Sequence, residues 1–317
     1  MIDVEFESIC IDCKRRGYTI GFTLQSLRYN DHVVLDLPNP YLGGPTVRFD
    51  HNDTPYLIKS IEVTQGENSS AKGAPFHYYL LNQKRSKFLQ TFTFFSPLDG
   101  TPLDFSESKN LPEQPEGLYF FMDFYHYERP YLLIFYSYFN NTAQPITNFS
   151  LFQFLDFDIY GQERFDTDIT GQKNNCVFQY DAAESLERGV IAGLASTPAH
   201  PPDHFQGGLV ESLFPFENGS EDTLKHLLDE VVNEPQDQGV ALEWVKPTLP
   251  PFTTITVPVI LVFGEGERKF TKHLATAREH AESLEPTVKK ALTYPSRTRF
   301  DLKYKYVNES IKKWCSD

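Results

Sequence analysis

Apolar and polar residues alternate in short runs along most of the chain, and the period lengthens only near its end. VEFESICI, RRGYTIGFTLQSL and DHVVLDL read as strands, the last stopped by Pro38-Asn39-Pro40. Residues 41–45 form a loop, 46–49 a strand and 50–54 a turn before YLIKSIEVTQ, whose alternation is again strand-like. A polar loop over 66–74 separates this from strands at 76–81 and 88–95. Residues 96–117, rich in Pro, Asp, Glu and Ser, make the longest loop. The most apolar part, LYFFMDFYHYERPYLLIFYSYF, reads as two strands broken near Glu128-Arg129-Pro130, because proline cannot donate to a central ladder. A turn at 140–145 leads into a strand over 146–160, where Asp156 and Asp158 alternate with Phe157 and Ile159 as on a sheet with one wet face. NCVFQYDA, RGVIAGLAS, VALEWV and TTITVPVILVFG continue the strands.

Two regions have a helical period. Residues 221–233 predict a helix capped by Ser220, with Leu224, Leu227, Leu228 and Val231 on one face. After Gly264, Phe270, Leu274, Ala277, Ala281 and Leu284 recur at helical spacing until Pro286 breaks or restarts the run; Phe300, Tyr304, Val307, Ile311 and Trp314 mark a final amphipathic helix. The expected architecture is all-β: a large antiparallel β-sandwich over residues 1–264, with a helical tail over 265–317 packed on it.

Composition sharpens this picture. The 317 residues include 27 Phe and 17 Tyr, which fit pleated surfaces, and 22 Pro and 18 Gly, which supply turns. The net charge of −14 repels nucleic-acid phosphates and anionic lipid, so neither is expected as a partner. From Gly264 onward 12 Lys plus Arg meet 8 Asp plus Glu, leaving a basic tail on an acidic body. No run of about 18 apolar residues predicts a membrane span. No secretory leader is visible, four cysteines are too few for a disulfide framework, and a cytoplasmic protein is expected. The Asn-x-Ser/Thr triplets at Asn52, Asn68, Asn140, Asn148, Asn218 and Asn308 then read as turn chemistry.

LLIFYSYFNNTAQPITNFSLFQFLDFDIYG, residues 132–161, and VKPTLPPFTTITVPVILVFGEGE, residues 245–267, are similar to segments of the β-supersandwich family. These galactose-mutarotase-like or glucoamylase N-terminal-domain-like domains accompany glycoside hydrolase and phosphorylase barrels. The resemblance implies a supersandwich and a connection to carbohydrate. It implies no catalytic residues, because the chain is expected to stop at the linker-like helices, without the barrel.

Several clusters could carry chemistry. Asp156, Asp158, Glu163, Asp166 and Asp168 form the densest set of hard oxygen ligands, the kind calcium takes, but EF-hand spacing fails at Tyr160, Thr167 and Val177. The expected role is a wet strand face and polar hairpin with no cofactor, a calcium site outside the EF-hand pattern being the lesser alternative. Cys10-Ile-Asp-Cys13 lacks the second half of a zinc site. Phe76-His77-Tyr78-Tyr79, and Asp123 with Phe124-Tyr125-His126-Tyr127, could stack sugars, and His204 lies on a loop beside Asp203. The candidate ligand-binding set is therefore His77, Tyr79, Asp123, His126 and His204. There is no GxSxG, HExxH, P-loop or GxGxxG. The leading expectation is a carbohydrate-related binding or scaffolding module. One alternative is a sugar-active enzyme (epimerase, lyase or hydrolase) using a histidine and carboxylates. Another is a module that docks a protein partner.

Overall fold

The computed structural model describes residues 2–11, 19–30, 32–36, 45–58, 79–85, 89–96, 98, 116–127, 129–213 and 225–293. Strands β1 (Ile2–Ile11), β2 (Thr19–Tyr29) and β3 (His32–Asp36) form a small antiparallel sheet. A hairpin of β4 (Pro45–His51) and β5 (Thr54–Ile58) follows. Next comes a meander of β6 (Tyr79–Arg85), β7 (Leu89–Ser96), β8 (Gly117–His126) and β9 (Tyr131–Asn141). The chain continues through β10 (Ile146–Leu155), β11 (Asp168–Gln172), β12 (Cys176–Asp181), β13 (Val190–Ala195) and β14 (His204–Leu209). One turn of helix, α1 (Val210–Leu213), precedes β15 (Glu230–Val231), β16 (Gln238–Leu249) and β17 (Thr254–Glu265), and helix α2 (Glu267–Thr293) closes the described chain.

Two large sheets face each other. One runs β15-β14-β16-β10-β4-β5 and the other β11-β12-β13-β17-β9-β8-β7-β6. Every neighbouring pair is antiparallel except β14–β15. The pleat decides which side chains meet. On β10, Phe149 contacts Tyr138 of the opposite sheet edge-on at 5.2 Å. Gln153 Oε1 accepts a 2.7 Å hydrogen bond from the buried Tyr136 hydroxyl. Phe149, Leu151, Gln153 and Leu155 therefore look into the sandwich, and the period of two turns Ser150, Phe152 and Phe154 to the far face of the six-stranded sheet.

The middle strands of the eight-stranded sheet, β8, β9, β13 and β17, are buried on both faces. Leu132, Ile134 and Tyr136 belong to the core between the sheets. The intervening Tyr131, Leu133 and Phe135 join Phe270, Leu274, Ala277 and Ala281 of α2 in a second core. Burial on both sides explains why β8 and β9 read as continuous apolar runs rather than alternating ones. Gly264 allows the helix to sit this close: a Cβ there would lie 2.4 Å from the Phe270 amide nitrogen and 2.5 Å from its Cα. Cys176, wholly buried beneath Phe270, has its thiol pushed up to about 12 by burial, with Arg278 offsetting it in part.

The break near residues 128–130 falls between β8 and β9; of the turn expected over 140–145, residues 142–145 lie between β9 and β10, while Asn140 and Asn141 end β9. Asn52, at φ 49°, is a turn residue; Asn148, at φ 51°, instead sits inside β10 where the pairing with β4 shifts register, and Asn140 is fully buried and ties the end of β9 to Leu249 O and Gln144 O. Three expectations are corrected. Residues 225–233 are not helical, because their amides bond to side chains of neighbouring strands, as detailed below. Helix α2 passes through Pro286, an exposed position where the carbonyl deprived of its amide partner can meet solvent. Asp156 and Asp158 are not on a wet face: they are 8% and 5% exposed, in a segment that turns inward after β10, with Phe157 N–H held by Gln179 Oε1 at 3.0 Å. The predicted helix over 300–314 and the pair Cys10/Cys13 fall on residues or side chains outside those described. Among the described residues, no helix is long and apolar enough to cross a membrane.

Candidate functional site

The far face of the six-stranded sheet carries a row of charged and polar groups. In register across β14, β16 and β10, His204 stands opposite Glu243, and Glu243 opposite Phe152. One pleat along, Ser150 stands opposite Arg48 of β4. Four strands thus place four functional side chains on one surface. Glu243 is the only charged residue in the run Val240-Ala241-Leu242-Glu243-Trp244-Val245, and it is 0% exposed.

A fifth group comes from the segment before β15. Leu227 N–H donates to Glu243 Oε2 at 3.0 Å and Leu228 N–H to Gln206 Oε1 at 3.2 Å. Asp229, in the left-handed region at φ 57°, accepts from Phe205 N–H at 3.0 Å and donates its own amide to Phe205 O at 2.9 Å. These bonds replace the i→i−4 ladder of a helix and swing His226 over the sheet, where its Nδ1 lies 2.7 Å from Glu243 Oε1. The rings of His226 and His204 are 5.2 Å apart. His204 Nδ1 lies 2.9 Å from Asp229 Oδ2. That hydrogen bond, with the charges of Asp229, Glu243 and Asp203 adding to it against desolvation, raises the His204 pKa above its ordinary value. Desolvation pushes Asp229 up, but bonds from His204 and Phe205 hold it below the usual carboxylate range. Arg48 Nη2 is 3.9 Å from Glu243 Oε1, donates to Ser150 Oγ at 3.2 Å and lies over the Phe152 ring at 5.7 Å.

The surface therefore combines a buried carboxylate, two imidazoles each within hydrogen-bond reach of a carboxylate, and a guanidinium. A carboxylate and an imidazole within hydrogen-bond reach are an acid and a base for proton transfer. Two imidazoles and a carboxylate are also metal ligands: one ligand atom from each of His204, His226 and Glu243 lies within 4.8 Å of the others.

Of the residues singled out from sequence, His204 is in this constellation. Asp123 and His126 lie elsewhere, on β8 of the other sheet. Asp123 is at a register position shared with Phe121 and Tyr125 of the helix-side core, and His126 is at one shared with Phe124 of the inter-sheet core. His77 lies outside the described residues, and Tyr79 is described only as backbone of β6. Asp156, Asp158 and Asp168 do approach one another inside the sandwich. Burial, then the charges of Asp158 and Asp237, raise Asp156 to about 8. Burial, then Asp156, Asp158 and Asp181, raise Asp168 to about 10. They share a field rather than a ligand sphere, since no three of their oxygens come within 4.8 Å. Glu163 and Asp166 are exposed on the short 3-10 turn Gln162–Thr167. Sequence reasoning missed Arg48, His226, Asp229 and Glu243. For Glu243 a signal existed: one acid inside an otherwise apolar strand.

No family model matches this sequence, and no curated protein does. Solved structures do. An aldose epimerase homologue from C. elegans has a TM-score of 0.42 and 8% identity, covering 83% of this chain and 100% of that one. Galactose 1-epimerase from Lactobacillus acidophilus has a TM-score of 0.41 and 9% identity, covering 84% and 100%. A kojibiose phosphorylase from human microbiome has a TM-score of 0.33 and 11% identity, and the matched part is 31% of its length. Two aldose epimerase structures thus resemble most of this chain at TM-scores of 0.41 and 0.42.

Proposed function

We propose that this protein binds a neutral, hydroxyl-rich small molecule, a carbohydrate, over Arg48, His204, His226 and Glu243, and moves protons on its hydroxyl groups. The observation that carries the reading is the Glu243–His226 contact of 2.7 Å, made by a carboxylate that is wholly buried and pinned by the Leu227 amide. Glu243, Asp229 and Asp203 outnumber Arg48, so the local field disfavours phosphate or carboxylate ligands and suits a neutral one. Sugar hydroxyls both donate and accept, matching a surface that offers carboxylate, imidazole and guanidinium together.

His226, backed by the buried Glu243, takes the proton of a sugar hydroxyl, and His204, held by Asp229 with a raised affinity for its proton, returns one to a neighbouring sugar oxygen. Anomeric exchange needs only such an acid and base: the anomeric O–H loses its proton, the ring C–O bond opens, and the ring oxygen gains a proton. This favours the sugar-active enzyme over a purely scaffolding module. Saturation-transfer NMR against a panel of neutral aldoses should show binding and accelerated anomer exchange. Glu243→Gln should slow that exchange by about 100-fold or more, because His226 loses the carboxylate that makes it a general base. Absence of binding across the panel would remove the proposal, and binding without accelerated exchange would leave a carbohydrate-binding module.

A further inference from the structure

We propose that His204, His226 and Glu243 form a binding site for a divalent first-row metal ion of the zinc type. Their ligand atoms lie within 4.8 Å of one another. A tetrahedral ion with bonds of about 2.0–2.2 Å holds its ligands roughly 3.4 Å apart, so small side-chain shifts close the sphere. The donor set of two nitrogens and one oxygen selects an ion of borderline softness over calcium or magnesium.

The surroundings match such a site in three further ways. Asp229 Oδ2 engages His204 Nδ1, which leaves Nε2 as the ligating nitrogen and supplies the carboxylate that orients a metal-bound imidazole. Glu243 Oε2 is tied to the Leu227 amide, so Oε1 is the oxygen turned to His226. The side chains of His204 and His226 are 32% and 53% exposed, which gives the ion a way in from the solvent side. Three protein ligands leave a fourth position for water or a substrate oxygen, as in open rather than structural zinc sites. Arg48, 3.9 Å from Glu243 Oε1, is the group that opposes a cation, and its bond to Ser150 gives it an alternative partner. The ion would replace the hydrogen bond between His226 and Glu243. The inference uses the side chains of the proposed carbohydrate site but not the sugar chemistry.

The test is titration of chelator-stripped full-length protein with Zn2+ by calorimetry and with Co2+ by visible absorption. One equivalent should bind, with the intense d–d bands of a low-coordinate Co2+ ion. His226→Ala removes a largely exposed side chain and should abolish the bands while leaving the circular dichroism unchanged. Asp229→Asn should weaken binding by about 10–100-fold, and Arg48→Gln should tighten it. No stoichiometric uptake, or uptake indifferent to His226→Ala, would overturn the site. Sugar binding measured with and without Zn2+ separates the two readings. Metal uptake with no sugar binding would retain the ion and discard the carbohydrate, and the reverse result would do the opposite.

Discussion

Asp168 is a carboxyl that the fold leaves without a hydrogen-bond partner on either oxygen, at 1% exposure. The nearby Ile159 amide offsets little, being committed to Phe157 O at 2.9 Å. Folded Asp168 titrates at about 10, whereas an unfolded aspartate titrates at about 3.9. Between those values the folded state holds a proton that the unfolded chain has lost, so stability falls as pH rises. The contribution is complete below about pH 4 and is lost progressively up to about pH 10. Asp156, at about 8, adds a second slope of the same sign over a narrower window. Asp168→Asn keeps the shape and removes the titration. It should flatten this dependence and raise stability near pH 8 by on the order of 1–3 kcal/mol. Urea unfolding at several pH values measures it, and an unchanged slope would show that Asp168 is ionised and compensated in the native state. None of this was legible in the chain, where alternation with Phe157 and Ile159 marked Asp156 and Asp158 as solvated.

At the level of elements, helix α2 is held by a few large contacts. Phe270 is 5% exposed, its ring lies 5.7 Å from that of Phe178, and it covers Gly193, where a Cβ would come within 2.6 Å of it. Phe270→Ala empties this seat and should destabilise the protein by about 3–5 kcal/mol, read from a lowered urea midpoint. A shift under about 1 kcal/mol would mean that the helix is anchored elsewhere, for instance by Arg278 on Ser196 O and Asn174 O or by His200 on Glu285. The helical period of Phe270, Leu274, Ala277 and Ala281 was readable because one stripe faces one sheet. Leu224 lies outside the described residues, but the same period misled at Leu227, Leu228 and Val231. There the deciding partners are Glu243 and Gln206, side chains of distant strands that compete for the helix's amides. Local pattern cannot register them.

At the scale of the molecule, the two large sheets and α2 among the described residues stack in the order six-stranded sheet, eight-stranded sheet, helix. Strands β9 and β17 lie side by side in the middle layer with both faces covered, so their amides should be the slowest to exchange with deuterium, slower than those of the edge strand β5. Equal protection across the two sheets would contradict the layered arrangement. The strands and most of the turns were visible in sequence, since apolar spacing and Pro, Gly and Asn encode them locally. The site was not, except for His204, because Arg48, His226, Asp229 and Glu243 acquire meaning only when strands distant in the chain are zipped together. This dependence on register has a mechanical corollary. Were β16 to pair one residue out of step with β10 and β14, Glu243 would turn toward the other layer and Trp244 would take its place among the histidines. Such a misfolded isomer could keep nearly every strand yet lose the His204–His226–Glu243 cluster, so the cluster, and not strand content, reports whether the sheet has zipped correctly.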